Sequence, residues 1–308
     1  MHPFRPVDRH GVALHDAPAE RWDELFRDVS RAGFTALEIA DSHIRPADLT
    51  TSRRNELLSI AADNDVTLLS VHVQRQSVIQ AGVGEANLAY AHRTIDAIAE
   101  MGMQVLSTGL HQPLTAAQRD AAWFWTVPGH ADPRDEDIRA LAVKRLRGLG
   151  RHAAEVGIPI SLEMYEDTYL GTADSAVRLL EEIGLDNVGL NPDIGNLIRL
   201  HRPIEDWRAA YEKTLPYANY WHMKNYARDE IGGGQAYSCV PTTLELGFIN
   251  YRDVVRTAVQ GGYRGPFLME HYGGDSLGVS ATNRRYLQDL LASDASPRKH
   301  EPLALRRR

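Results

Sequence analysis

Cysteine is nearly absent from this chain of 308 residues: Cys239 stands alone. A single thiol cannot close an intrachain disulfide or build a cysteine-rich zinc cluster, so any bound metal must be held by imidazole and carboxylate. No run approaches the roughly 18 apolar residues of a membrane-spanning helix. The opening Met1-His2-Pro3-Phe4-Arg5-Pro6 also lacks the apolar core of a secretion signal. A cytoplasmic protein without a membrane partner is expected. A basic excess is missing too, since 34 Lys and Arg face 41 Asp and Glu for a net charge of −7. Broad nucleic-acid affinity relies on clustered cations that displace counterions from phosphate, so no nucleic-acid partner is expected. No Pro/Gly/Ser-rich linker divides the chain, which points to one domain over residues 1–293. Basic residues cluster only from Asp294 to Arg308, where five of them and two acids give a local charge of +3. That segment reads as a flexible basic tail.

What is present is a large buriable core, with 43% hydrophobic residues and 24% charged. Short apolar or β-branched runs alternate with longer helical patterns, the signature of βαβ units and a parallel sheet. Eight runs read as strands: Gly11–His15, Ala36–Ala40, Val66–Val73, Gln104–Gly109, Ile158–Glu163, Val188–Asp193, Tyr217–His222 and Pro266–Glu270. Helical spacing marks Arg21–Ala32, Asn87–Met101, Asp135–Val156, Ala173–Ile183 and Arg252–Gln260, each followed by a glycine suited to a left-handed helix stop. Eight such units predict a closed (β/α)8 TIM barrel of the α/β class. An open doubly wound sheet is less consistent, because no G-x-G-x-x-G follows a strand. Gly232-Gly233-Gly234 has no helix behind it and reads as a flexible loop. Two long connections, Gln112–Asp135 and Tyr226–Asn250, follow strands and are expected over the barrel mouth.

Catalytic groups of such a barrel gather at the carboxyl ends of its strands. Four successive predicted strands close on Glu163, Asp193, His222 and Glu270. Three converging carboxylates would repel one another and take up protons unless a cation neutralised them. Three carboxylates and one imidazole, without thiolate, favour Mn²⁺, Mg²⁺ or Co²⁺ with open coordination positions over a closed zinc site. Isolated strand-end polar groups are the alternative, and four in succession argue against it. Open positions on such a cation could take a carbonyl oxygen and a neighbouring hydroxyl, stabilising the charge that develops when the adjacent carbon loses a proton.

The order of these units resembles the xylose isomerase-like barrel superfamily of sugar isomerases and epimerases. The resemblance is carried by Gly33-Phe34-x3-Glu38, Glu163, Asp193-x2-Asn196, His222-Met223-Lys224-Asn225 and Glu270-His271, and spans Val12 to Leu291. It implies a divalent ion, Mn²⁺ first, on Glu163, Asp193, His222 and Glu270. Similarity to the ketose 3-epimerase branch implies that Glu163 and Glu270 face opposite sides of the sugar carbon, one removing a proton and the other returning one. Arg228 occupies a position similar to a substrate-contacting arginine. His72 and His111, closing the third and fourth strands, stand where the family places substrate-binding or additional metal-binding imidazoles; simple strand-end packing is their alternative.

Two departures bear on orientation: Asn196 stands where the family often has His, and Asn225 where it often has Asp. Asn196 is therefore expected on the substrate side of the site. The DNA-repair endonuclease branch has a D-x-H pair after the seventh strand, whereas here Asp229 is followed by Glu230 and Ile231. That removes ligands from a multinuclear phosphodiesterase site.

The expected activity is thus metal-dependent sugar isomerisation or epimerisation through an enediolate. The alternative at the same site is elimination, as a 3-keto-glycoside lyase or a dehydratase. A non-catalytic sugar-binding barrel is a further reading. The expected partner is a small sugar or keto-glycoside, and barrel enzymes of this size often assemble as homo-oligomers. Trp123-Phe124-Trp125 suits either stacking on a sugar ring or anchoring its own loop. Tyr165, Glu166 and Asp167 are expected near the pocket. Cys239 lacks a surrounding motif and reads as inert.

Overall fold

The alternating runs build a wall of parallel strands wrapped by helices in the computed structural model, which describes residues 4–7 and 11–295. The basic segment expected from Asp294 lies, beyond Ala295, outside the described residues. Strands β1 (Ala36–Ala40), β2 (Thr67–Val73), β3 (Val105–Thr108), β4 (Ile160–Glu163) and β5 (Val188–Asn191) pair side by side in chain order, all parallel. Every residue of β3, β4 and β5 is buried, as covered parallel strands require. Strand β6 (Trp221–Met223) continues the wall beside β5, where Asn219 N donates to Leu190 O at 3.1 Å. An antiparallel hairpin, β7 (Asn225–Ile231) and β8 (Ala236–Thr242), follows it. The chain then returns through β9 (Phe267–Met269), parallel to β6.

Among the described residues ten helices lie before, between and after the strands: α1 (Ala19–Arg31), α2 (Thr51–Asp63), α3 (Gly84–Glu100), α4 (Ala116–Asp120), α5 (Glu136–Glu155), α6 (Ala173–Ile183), α7 (Gly195–Ile198), α8 (Trp207–Thr214), α9 (Tyr251–Gln260) and α10 (Ser276–Ala295). Each longer helix buries one stripe; α1 does so with Trp22, Leu25, Phe26 and Val29. Side-chain caps fix several starts. Thr172 accepts from Ser175 N at the head of α6, and Asp135 from Asp137 N and Ile138 N at the head of α5. Gly184 ends α6 in the left-handed conformation at φ 62°. After α9 the left-handed residue is Gly262, one position beyond the predicted Gly261. No helix among the described residues is long and apolar enough to cross a membrane.

Three expectations are corrected. Gly11–His15 is not a strand: Leu14–Asp16 forms a 3-10 turn, and Ala13 makes only a single bridge to Val7. Its polar groups are used locally, since Leu14 N donates to Pro6 O and Trp22 Nε1 to Leu14 O, both at 2.8 Å. The parallel wall therefore has seven described strands rather than eight. A cleft of about 170 Å³ lies between β1 and β9, lined by Phe4, Phe34, Leu37, Phe267 and Leu277. Secondly, Tyr217–His222 begins late, because Leu215–Tyr217 is a 3-10 turn and the strand starts at Trp221. Thirdly, the second long connection is mostly the β7–β8 hairpin. Gly232, Gly233 and Gly234 form its turn with φ of 64°, 66° and 92°, so they are a specified turn and not a slack loop.

Cys239 is buried on β8 with its Sγ 3.8 Å from Ile198 O, and burial pushes its thiol up to about 11. It therefore stays protonated at neutral pH. A thiol-specific disulfide reagent is expected to leave it untouched in the native protein and to modify it once the chain is unfolded. Rapid modification of the native protein would contradict this burial.

Candidate functional site

Parallel strands deliver their last side chains to one end of the wall, and here those side chains meet. Glu163 ends β4 and Glu270 follows β9, while His222 lies in β6; Asp193 follows β5 through Pro192, which turns the chain toward the bowl. Each offers one ligand atom, and these four atoms lie within 4.8 Å of one another in a fully buried group. Ligands held about 2.1 Å from one small divalent cation necessarily fall this close.

The buried groups favour a cation. Both carboxylate oxygens of Asp193 lack a hydrogen-bond partner. The Lys224 ammonium lies 2.5 Å from Asp193 Oδ2, an ionic contact outside hydrogen-bond alignment, and 2.6 Å from Glu270 Oε2 as an aligned donor. Burial pushes the Asp193 carboxyl up to about 7; Lys224 opposes this, while the Glu270 and Glu163 charges reinforce it. A bound divalent ion would remove that penalty. The donor set of oxygen and imidazole suits a hard cation, so the residues fit the metal inferred from sequence.

A second ring of polar groups holds these four residues. His111 Nε2 is 2.7 Å and His72 Nε2 3.1 Å from Glu163 Oε2, and Asn196 Nδ2 donates to Glu163 Oε1 at 3.1 Å. Burial works against a charged Glu163, but His72 and the bonds from His111 and His222 outweigh it, holding the carboxyl well below its ordinary range. His222 Nδ1 faces Glu163 Oε1 at 3.2 Å and Glu270 Oε2 at 3.5 Å, and its Nε2 lies 2.8 Å from Glu38 Oε1. Glu38 Oε2 accepts from Tyr220 Oη at 2.6 Å and from Ser70 Oγ at 3.2 Å. Burial again opposes its charge, yet His222 and His72 bring Glu38 down to about 2. Glu38 thus orients the His222 ring, a common device behind a metal-ligating imidazole.

Above the ligands, a cavity of about 180 Å³ is walled by His111, Phe124, Tyr165 and Tyr272, with Glu163 and Glu270 on its floor. The aromatic triplet divides its labour. Trp125 is buried, donates from Nε1 to Cys239 O at 3.2 Å, and stacks on Trp123 with ring centroids 4.9 Å apart. Trp123 packs where Gly273 leaves room, since a Cβ at Gly273 would come within 2.6 Å of its ring. Only Phe124 of the three reaches the cavity. Beneath this wall Glu166 accepts from Arg199 at 2.9 and 3.0 Å in a fully buried pair. Asp167 pairs with Arg202 at 3.0 Å.

Six of the eight predicted site residues touch in this cluster: Glu163, Asp193, His222, Glu270, His72 and His111. Asn196, on α7, joins them through Glu163 and the Met164 carbonyl. Arg228 does not. Its guanidinium donates to the Ile198, Leu200 and Arg202 carbonyls, bracing the segment after α7 from the hairpin. Sequence reasoning gave no role to Lys224, Glu38, Ser70 or Tyr220. Lys224 and Tyr220 could have been found from alternation, since each stands two residues from His222 along the same strand path and so shares its face. Ser70 carried no signal, being an ordinary polar residue inside an apolar run.

No curated protein sequence matches the chain. A protein from Mycobacterium smegmatis, solved in complex with magnesium as a xylose isomerase-like TIM barrel protein, is 44% identical over 96% of both chains with a TM-score of 0.91. D-allulose 3-epimerase from Methylomonas sp. shares the fold at 16% identity, covering 90% of this chain and 94% of its own, with a TM-score of 0.64. A probable 3-DHS dehydratase from Bacillus anthracis does so at 14% identity, covering 86% and 92%, with a TM-score of 0.60. The family described as xylose isomerase-like TIM barrel matches residues 26–292, and the chain belongs to it.

Proposed function

We propose that the chain is a divalent-metal-dependent enzyme that isomerises or epimerises a sugar or related polyol by moving a proton beside a carbonyl. The observation that carries this is the convergence of Glu163, Asp193, His222 and Glu270 beneath a walled cavity, with neither Asp193 oxygen taken by an aligned hydrogen bond. These four residues would hold the cation, Mg²⁺ or Mn²⁺; the magnesium complex of the 44% identical protein supports a hard ion. When bound, such a cation supplies electrophilic polarisation of a carbonyl and charge stabilisation for the oxygens beside the reacting carbon.

The residues of the chain handle the proton. Glu270 lies on the cavity floor with the Lys224 ammonium 2.6 Å away, and is the base on one side of the reacting carbon. It takes the proton from the carbon and keeps the negative charge off its own oxygen for the lifetime of the intermediate. Glu163 is the second carboxylate facing the same cavity, on the return side of the proton path, with His111 Nε2 2.7 Å away to orient it. The aromatic wall excludes water, which brings the base strengths of carboxylate and carbon acid closer together.

Elimination at the same floor, giving a dehydratase or a keto-glycoside lyase, is the second reading. It is favoured by the continuous aromatic surface of Phe124, Tyr165 and Tyr272, which would suit a second ring. Incubating the Mn²⁺-loaded protein with ketohexoses and with 3-keto-glycosides, and identifying products by NMR, separates the two. An epimeric ketose or aldose supports isomerisation, a released aglycone supports elimination, and no product from either set counts against both.

A further inference from the structure

Arg75 has a property no other guanidinium at the cavity shares. It follows β2 with φ of 51°, a left-handed backbone that a long side chain adopts at a cost of about 1 kcal/mol or more. The turn is held because Gln74 N donates to Asp41 Oδ1 at 2.9 Å. The strained backbone carries a half-buried guanidinium into the wall of the cavity that has Glu163 and Glu270 on its floor. There Arg75 donates to the Gln112 carbonyl at 2.8 Å and to Tyr165 Oη at 2.9 Å, and lies over the Phe124 ring at 5.2 Å. Both hydrogen-bond partners are neutral. Among the described residues no carboxylate stands within ion-pair distance of it, whereas Arg199, against the same rings, is neutralised by both oxygens of Glu166.

A guanidinium has five N–H donors in a planar fork suited to an oxyanion. Two are used here, and the positive charge is uncompensated inside a partly desolvated pocket. We propose that the substrate carries a terminal oxyanion, a carboxylate or a phosphate, which Arg75 binds at the wall while the reacting end lies over the carboxylate floor. This rests on the metal-dependent sugar reading above and narrows it from sugars in general to anionic sugars. Tyr165 Oη, fixed by Arg75, sits beside the same position as a further donor.

The test is calorimetric binding of D-fructose, D-fructuronate and D-fructose 6-phosphate to the Mg²⁺-loaded protein. At least one anionic sugar is expected to bind about tenfold or more tighter than fructose, the scale of one charge-assisted hydrogen bond. A preference for fructuronate alone assigns a carboxylate, and one for fructose 6-phosphate alone a phosphate. Arg75→Gln should bring all three affinities together, and Arg75→Lys should keep part of the preference. Equal binding of all three by the native protein, no binding at millimolar concentration, or an anionic preference that survives in Arg75→Gln would each overturn the proposal. Deuterium uptake from solvent is a separate reading: its absence with the preference intact removes the proton-transfer mechanism but leaves the oxyanion site.

Discussion

Replacing Glu270 by Gln is expected to lower proton exchange beside the substrate carbonyl by about a thousandfold, within the range a positioned general base contributes. The amide keeps the shape and can still offer an oxygen to a cation, but it cannot accept a proton from carbon. Because Glu270 is also assigned to the cation, the comparison belongs at saturating Mn²⁺, with metal affinity measured separately by calorimetry. Lys224, now 2.6 Å from a carboxylate oxygen, would face a neutral amide instead, so some weakening of the fold accompanies the change. Exchange within about tenfold of the native rate at saturating metal would remove Glu270 from the proton path. Glu163→Gln should be comparably damaging, but for two reasons, since it also removes the negative charge that His72 and His111 both face.

The second large effect concerns Lys224. Its ammonium is buried between Asp193 and Glu270, with Glu163 4.0 Å away, and the neighbouring carboxylates hold it protonated although burial opposes the charge. Lys224→Met removes the charge while keeping an apolar chain of similar length. In chelator the variant leaves its carboxylates without that counter-charge, a loss of about 3–5 kcal/mol by analogy with broken buried ion pairs. Mg²⁺ or Mn²⁺ should restore much of this, and the variant should bind the metal more tightly than the native protein, because no resident ammonium then competes for Asp193. Thermal unfolding with chelator and with metal reads the first effect, and calorimetry the second. A metal-free variant as stable as the native protein would show that Lys224 does not neutralise the floor.

The convergence of Glu163, Asp193, His222 and Glu270 was legible in the sequence because parallel strands project their final residues to one end, so the four could be collected without knowing any distance. The helices were legible from apolar spacing and caps such as Asp135 and Thr172. Gly11–His15 misled because a short apolar run suits a strand, whereas its Leu14 N and Leu14 O are taken by partners outside the run, Pro6 O and Trp22 Nε1, and the 3-10 turn closes from Asp16 N to Ala13 O. The β7 strand was obscured by the charged run Arg228, Asp229 and Glu230, which breaks any apolar alternation although Arg228 turns inward onto the Ile198, Leu200 and Arg202 carbonyls. Arg75 was invisible for a different reason: its importance lies in a backbone angle and in the absence of a carboxylate partner, neither of which a residue pattern encodes.

Solvent deuterium uptake most directly tests the claim that this floor moves a proton with the help of a cation. The protein, stripped with chelator and then reloaded with Mn²⁺ or Mg²⁺, is incubated in D₂O with neutral and anionic ketoses, and the carbon beside the carbonyl is followed by NMR. Deuterium should appear there only with the metal present and should fall by about a thousandfold in Glu270→Gln. Full exchange in chelator, or none from any ketose with metal bound, would contradict the account.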